Sequence, residues 1–526
     1  MEKWPDWFTE FRAEQLIALE KISDAYAAGA KIVVVDAPTG SGKTIIGEAV
    51  RRNLGVNGLY ICSGLELQEQ ILRDFPYAKV VKGKANYPVG DVVEYPFPKF
   101  SCDDCNKQSI GDGESVCSYC PVVGQCPYQV AKMAAITGEL AVLNTTYALY
   151  INNLVKDSPF SGQELIILDE CDTVEDQLTN FIQLAITQRA LYELGVRAPR
   201  KGTHQTTIRK WMAEELLPAL DRKLKSLGSR DDETKSKKKF ARLKGSVERF
   251  LEDSADDWIR AGNEDQLIFK PVTVQQHGQR YLWRHSKKWL LMSATVISAE
   301  QMLKDLGFKG DWEFVEMPSV FPVENSRVYR VPVADMSKKA WEIEKLLAGV
   351  ESLVKMHPLE RILIHTVNYR ITEEIVKHLD LVTDRCILGY NKASERSEAI
   401  SRYKQTPNAV LVASSLDRGI DLPDDLCRVV IVAKVPYPSL GDKQVSTRMN
   451  RPGGKEWYRV ATVRKIVQMS GRGMRHEQDS CVTYILDKQF ERFVPRNRGD
   501  NSLLPQSWRE RLQVYPKLQQ IQNKSK

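Results

Sequence analysis

Val33-Val34-Val35-Asp36-Ala37-Pro38-Thr39-Gly40-Ser41-Gly42-Lys43-Thr44 decides the fold of this chain: an apolar, β-branched strand breaks into a glycine-containing turn. Thr44-Ile45-Ile46-Gly47-Glu48-Ala49-Val50 then continues as a helix. A turn of this kind aims backbone N–H groups and a helix N-terminus at phosphate oxygens. Pro38, Thr39, Gly40, Ser41, Gly42, Lys43 and Thr44 are therefore expected to bind a nucleoside triphosphate, with Lys43 reaching the β and γ oxygens and the Thr44 hydroxyl ligating magnesium. The strict pattern places Gly where this chain has Ala37, so the flanking strand and helix carry the reading.

Outward from this loop, short apolar runs alternate with helical patterns. They are Ile32 to Val35, Leu165 to Leu168, Trp289 to Met292, Ile362 to Ile364, Val410 to Val412 and Val429 to Val432. That cadence predicts an α/β fold of parallel sheets covered by helices. At 526 residues the chain exceeds one core. Two sheet-bearing domains are predicted, residues 1–315 and 316–526, divided near Gly310-Asp311 and Pro318 to Pro322. The first is interrupted twice, leaving segments 1–84, 131–175 and 276–315 around a Cys-rich insert at 85–130 and a mainly helical insert at 176–275. The second insert has little strand signal and carries a basic run, Lys235 to Lys239, which by sequence alone reads as a solvated face.

Hydrophobic residues make up 42% and charged residues 27%, with no run near the roughly 18 apolar residues of a membrane span. With no charged-then-apolar leader, a cytoplasmic protein without membrane contact is expected. A net charge of +7 permits a polyanionic partner without demanding one.

Leu165-Ile166-Ile167-Leu168 runs straight into Asp169-Glu170-Cys171-Asp172, which puts carboxylates at the C-terminal end of a buried strand, where open α/β sheets bind ligands. Asp169 is expected to hold the magnesium and Glu170 to orient and deprotonate the attacking water.

Of ten cysteines, five follow the spacing Cys102-x2-Cys105-x11-Cys117-x2-Cys120-x5-Cys126, which points to a metal. Two pairs suit tetrahedral zinc, and four thiolates of the five suit a [4Fe-4S] cluster. Cys62, Cys171, Cys386, Cys427 and Cys481 sit in or beside apolar runs and are expected in the core.

These motifs, in this order, resemble the DinG/XPD-like branch of superfamily 2 helicases. Phe11-Arg12-Ala13-Glu14-Gln15 resembles the adenine-reading element, and Asp169 to Asp172 resembles the DEAH-type box. Ser293-Ala294-Thr295 resembles the motif that couples hydrolysis to movement. Gly419-Ile420-Asp421 resembles Glu-Gly-x-Asp, with Arg418 in place of the acid, and Gln468-Met469-Ser470-Gly471-Arg472-Gly473-Met474-Arg475 fits Gln-x-x-Gly-Arg-x-x-Arg. The resemblance implies two RecA-like domains, with Arg12, Gln15 and Asp421 at the nucleotide. Arg472 and Arg475, three apart, would share a helix face as arginine fingers, with Gln468 one turn earlier touching the nucleotide or its water.

The resemblance tips the metal toward [4Fe-4S]. Gly83-Lys84-Ala85-Asn86-Tyr87 resembles the start of the family's cluster segment and Cys126-Pro127-Tyr128 its end. The family often has its first ligand just after that Asn-Tyr, where this chain has Pro88-Val89, so Cys105, Cys117, Cys120 and Cys126 are the expected ligands with Cys102 spare. The implied function is an ATP-dependent helicase, monomeric, moving 5′ to 3′ on single-stranded DNA and opening forked or tailed duplexes, with the helical insert as an arch over the strand. An RNA-directed motor and an ATP-gated scaffold that separates no strands are the rival readings. Strand displacement, and ATPase stimulation by DNA against RNA, separate them.

Overall fold

Alternate residues of the strand Ile32–Asp36 enter different cores: Ile32 and Val34 on one face, Val33 and Val35 on the other. Burial on both faces is why the run is continuously apolar rather than alternating. The same holds in the second half, where Leu363 faces one core and Ile362 and Ile364 the other. The computed structural model describes residues 4–5, 8–88, 102, 109–110, 114–115, 126–228, 231–253, 257–319, 321–390, 392–414, 416, 422–474, 478–495 and 502–516.

Two seven-stranded sheets, each parallel throughout, organise the chain. The first runs in the order Trp312–Glu316, Ile32–Asp36, Ser286–Ser293, Gln163–Asp169, Gly58–Cys62, Leu140–Asn144, Lys79–Val81. The second runs Ile387–Gly389, Val410–Ala413, Ile362–His365, Val429–Val432, Val482–Asp487, Val328–Ala334, Leu512–Val514. All six apolar runs read from the sequence are strands of these sheets, and the α/β fold class holds.

In the first sheet the phosphate-loop strand lies directly beside Ser286–Ser293, which in turn lies beside Gln163–Asp169. Register sets Asp36 opposite Ser293, and Met292 opposite Asp169. The strand-order reversal is therefore what gathers three motifs, distant in sequence, at one sheet edge.

The second insert departs from its reading. Helices Gln188–Leu194, Gln205–Trp211, Leu217–Ser226 and Asp231–Asp253 are present, but so is a three-stranded antiparallel sheet of Leu184–Thr187, Gln266–Pro271 and Trp258–Gly262. These elements share a core of their own around Trp211, Phe240, Phe250, Trp258 and Phe269. Lys239 pairs with Glu193 at 3.2 Å and lies over the Phe240 ring, so this member of the basic run belongs to the insert's packing. Among the described residues no helix is long and apolar enough to cross a membrane.

Candidate nucleotide site

Gly40 and Gly42 both take positive φ (78° and 81°), the conformation that lets the loop turn its N–H groups inward before the helix Lys43–Leu54 begins. Gln15 braces this turn: its Nε2 donates to the Ser41 carbonyl at 2.8 Å, and its Oε1 accepts from the Arg12 N–H. A Cβ on Gly42 would stand 2.5 Å from that same Nε2, so a side chain there would displace the Gln15 brace in addition to straining the positive φ. Arg12 Nη1 donates to the Gly40 carbonyl at 3.2 Å. The two residues expected to read adenine thus touch the phosphate loop itself. Ser41 Oγ is buried without a hydrogen-bond partner, an orphan polar atom in a loop built to receive anions.

Asp169 ends its strand fully enclosed. Burial pushes its carboxyl pKa up, while Lys43, the Glu170 N–H and the Tyr60 hydroxyl, 3.0 Å away, hold it down. A desolvated carboxylate beside the phosphate-loop lysine has the donor chemistry of a magnesium site. Glu170 adopts a left-handed φ of 53°, strain that a non-glycine residue keeps only where its surroundings fix it. Thr173 fixes it here, donating through both N–H and hydroxyl to the Glu170 carbonyl.

Asp172, quoted in the box but given no role from sequence, is the hub of the site. Its carboxylate accepts from Ser293 Oγ at 2.8 Å and from Thr295 Oγ1 at 3.0 Å, joining the box to the Ser-Ala-Thr motif. Gln468 then reaches across from the second sheet, its Nε2 donating to Asp172 at 2.8 Å and to Thr295 at 3.1 Å. Gln468, expected at the nucleotide or its water, lines the cleft, and its Nε2 bridges to the first half there.

The helix carrying Gln468, Gly454–Ser470, stops at Ser470. Arg472 therefore lies beyond the helix, its Nε donating to the Gln468 carbonyl, and the expectation of two arginines on one helix face is corrected: Gly471 opens a turn. Arg475 and Asp421 lie outside the described residues. Asp36 is a further lining residue that the sequence reading missed; burial pushes its carboxyl up to about 7.

Together these groups wall a cleft of about 340 Å³ between the sheets, with Asp36, Thr39, Glu170 and Thr295 on one side and Gln468 and Arg472 on the other. That size suits a small ligand. A second contact joins the halves away from the cleft. Arg448 pairs with Glu175 and with Asp305 (2.9 Å) while its guanidinium lies 4.1 Å over Trp457.

Among the five insert cysteines, Cys102 and Cys126 are described. Both are buried, with sulfurs 3.7 Å apart. The Cys102 N–H donates to the Tyr87 carbonyl at 2.9 Å, which sets Cys102 beside the Asn-Tyr element. Tyr87 packs edge-on against Tyr128, whose hydroxyl bonds that of Tyr147 at 2.7 Å, tying the pair to the first sheet's covering helix. Cys102, expected to be spare, is thus next to the last cysteine of the series. Cys105, Cys117 and Cys120 lie outside the described residues. Cys62, Cys171, Cys427 and Cys481 are buried as expected and Cys386 is half-buried.

Comparison with known proteins meets this geometry. The family described as type III restriction enzyme, res subunit, matches residues 8–191, and the helicase C-terminal domain family matches residues 350–511. The ATP-dependent DNA helicase XPD of Sulfolobus acidocaldarius is 23% identical over 90% of this chain and 95% of its own length. Over most of its length the chain is similar to the XPD-like helicases. The ATP-dependent DNA helicase CHL1 of Vanderwaltozyma polyspora is 28% identical, over 22% of this chain and 15% of its own. Among solved structures, an XPD helicase superposes with a TM-score of 0.62 at 16% identity, covering 92% of this chain and 97% of that one. Xpd4 of S. tokodaii superposes with a TM-score of 0.60 at 13% identity, covering 96% and 100%. Those two likenesses establish the fold of both sheets.

Proposed function

We propose that this chain hydrolyses ATP in the cleft between its two sheets and uses the resulting domain movement to translocate 5′ to 3′ along single-stranded DNA, opening forked or tailed duplexes as a monomer. It is an ATP-dependent DNA helicase of the XPD and CHL1 type. One observation carries the coupling: the Asp172 carboxylate takes hydrogen bonds from Ser293, Thr295 and Gln468 at once, so the hydrolytic box and the second sheet share an acceptor. Any shift of Asp169 or Glu170 is felt three residues later by a group that the second sheet holds.

In this reading Lys43 and the N–H groups of Gly40 to Thr44 hold the phosphates, and Asp169 with Thr44 would hold magnesium, which screens phosphate charge when bound. Glu170 orients the water and takes its proton, while Arg472, with Arg475, meets charge developing on the phosphoryl oxygens. Arg12 and Gln15 read the base, and Asp421 completes the nucleotide site. Residues 1–84, 131–175 and 276–315 form the first motor domain and 316–526 the second, with 176–275 arching over the strand. Strand displacement on substrates with 5′ or 3′ tails tests the reading. Unwinding confined to 5′-tailed substrates is expected, and ATPase without strand separation would favour a scaffold.

The buried Cys102–Cys126 pair fits a thiolate centre and supports a revised ligand set: these two with two of Cys105, Cys117 and Cys120. A metal held there would clamp a loop-rich insert that has little core of its own. Anaerobically purified protein should be brown, with about four iron and four sulfide per chain; stoichiometric zinc in colourless protein would replace the cluster reading. Cys102→Ser should release the metal, and full retention would return Cys102 to the spare role.

A further inference from the structure

Pro505, Ser507, Trp508 and Arg511 also line the cleft, yet they lie beyond every motif that marks it. The segment is fixed in place. Trp508 is fully buried and its indole N–H donates to Ser470 Oγ at 2.8 Å, on the last residue of the helix that carries Gln468. The Arg511 carbonyl accepts from the Val328 N–H at 2.9 Å, and the next residues, Leu512–Val514, pair with the strand Val328–Ala334.

The side chain is only half committed. Arg511 Nε donates to the Ser507 carbonyl at 3.1 Å, which sets the stem. Among the described residues no carboxylate comes within ion-pairing distance of its terminal nitrogens. The surrounding chain desolvates the guanidinium, lowering its pKa to about 10, and Glu510 opposes that shift without contact. An enclosed cation without a counter-charge is costly unless something supplies one. Here the open side of the residue is the cleft, whose other polar walls are Thr39, Glu170, Gln468 and Arg472. Arg12 and Gln15, the expected base readers, lie away from it at Gly40 and Ser41.

We infer that Arg511 binds the terminal phosphate of the nucleoside triphosphate, a cation supplied to the hydrolytic side of the cleft by the C-terminal segment. The inference rests on the proposed ATP site. A planar guanidinium offers two parallel N–H groups to a phosphate, and a triphosphate carries there the charge that a diphosphate lacks. Arg511 should therefore sense ATP against ADP.

The test uses the full-length protein without DNA, titrated with ADP and with a non-hydrolysable ATP analogue. Arg511→Ala should weaken the analogue at least about tenfold and ADP less than about twofold. Arg511→Lys, which keeps stem and charge but loses the fork, should fall between and serves as the measurement if the alanine variant melts early. Unchanged affinity for the analogue, or equal weakening of both nucleotides, would overturn the inference and leave Arg511 as a clasp for the segment. Failure of the wild-type protein to bind either nucleotide would instead sink the ATP reading itself.

Discussion

The two walls of the cleft are built differently. On the first sheet, Asp169, Asp172, Ser293 and Thr295 sit buried on or just beyond ends of adjacent parallel strands, Asp172 bonded to both Ser293 and Thr295, with Lys43 at the start of the helix after the phosphate loop. On the second, Gln468 comes from a helix, Arg472 from the turn after it, and Arg511 from a segment near the chain's C-terminal strand. One wall is organised before a ligand arrives; the other supplies cations on connecting chain. The difference teaches that the two cations of the second wall should separate: Arg472, meeting charge only as it develops, should act on rate more than on affinity, whereas Arg511 meets charge already on the bound triphosphate.

The largest effects should come from the first wall. Lys43→Ala is expected to reduce ATPase to background with the fold intact, because backbone N–H groups still shape the loop. Glu170→Gln should keep ATP binding and lose about 10²- to 10⁴-fold in kcat. Wild-type turnover in the glutamine variant would remove Glu170 as the base. Next, Arg472→Ala should lower kcat by about 10²-fold or more while nucleotide affinity moves little. Equal losses of both would make Arg472 a ground-state binder like Arg511 and erase the contrast.

Gln468→Ala should cost less, about tenfold in DNA-stimulated ATPase, because Asp172 keeps its bonds to Ser293 and Thr295. Stimulation by DNA should suffer more than basal hydrolysis; identical losses would mean that the bridge carries no coupling. The smallest effect concerns pH. Burial first, with Glu316 and Asp172 adding, raises the folded-state pKa of Asp36 to about 7 from an ordinary 3.8. Folding therefore disfavours its ionised form, and stability falls as pH rises between those values and stays lost above them. Asp36→Asn should raise the melting temperature of nucleotide-free protein at pH 8 and leave it nearly unchanged at pH 4. A gain independent of pH would assign the effect to packing.

Much of the first wall was legible because its strands are buried on both faces and read as unbroken apolar runs ending in polar motifs. The insert's strands were not. Leu184–Thr187 alternates buried with exposed residues, and its partner Gln266–Pro271 lies far along the chain, so no local pattern announces the pairing. Asp172 was visible as a letter of the box, yet its role depends on partners 121, 123 and 296 residues away. Cys102 looked spare because spacing measures contour, whereas its N–H bonds the Tyr87 carbonyl directly. Arg511 belongs to no motif; its place in the cleft, with no carboxylate paired to it among the described residues, is a property of the fold alone.

The Arg448 cluster has a geometric consequence. The halves are pinned at Asp172–Gln468 and again at Arg448 with Glu175 and Asp305. Arg451 with Asp257 and Lys270 with Asp442 add contacts through the insert. Joined at several separate points, the halves are held in one relative orientation, and any swing, slide or twist of one sheet across the other requires some of these contacts to break first.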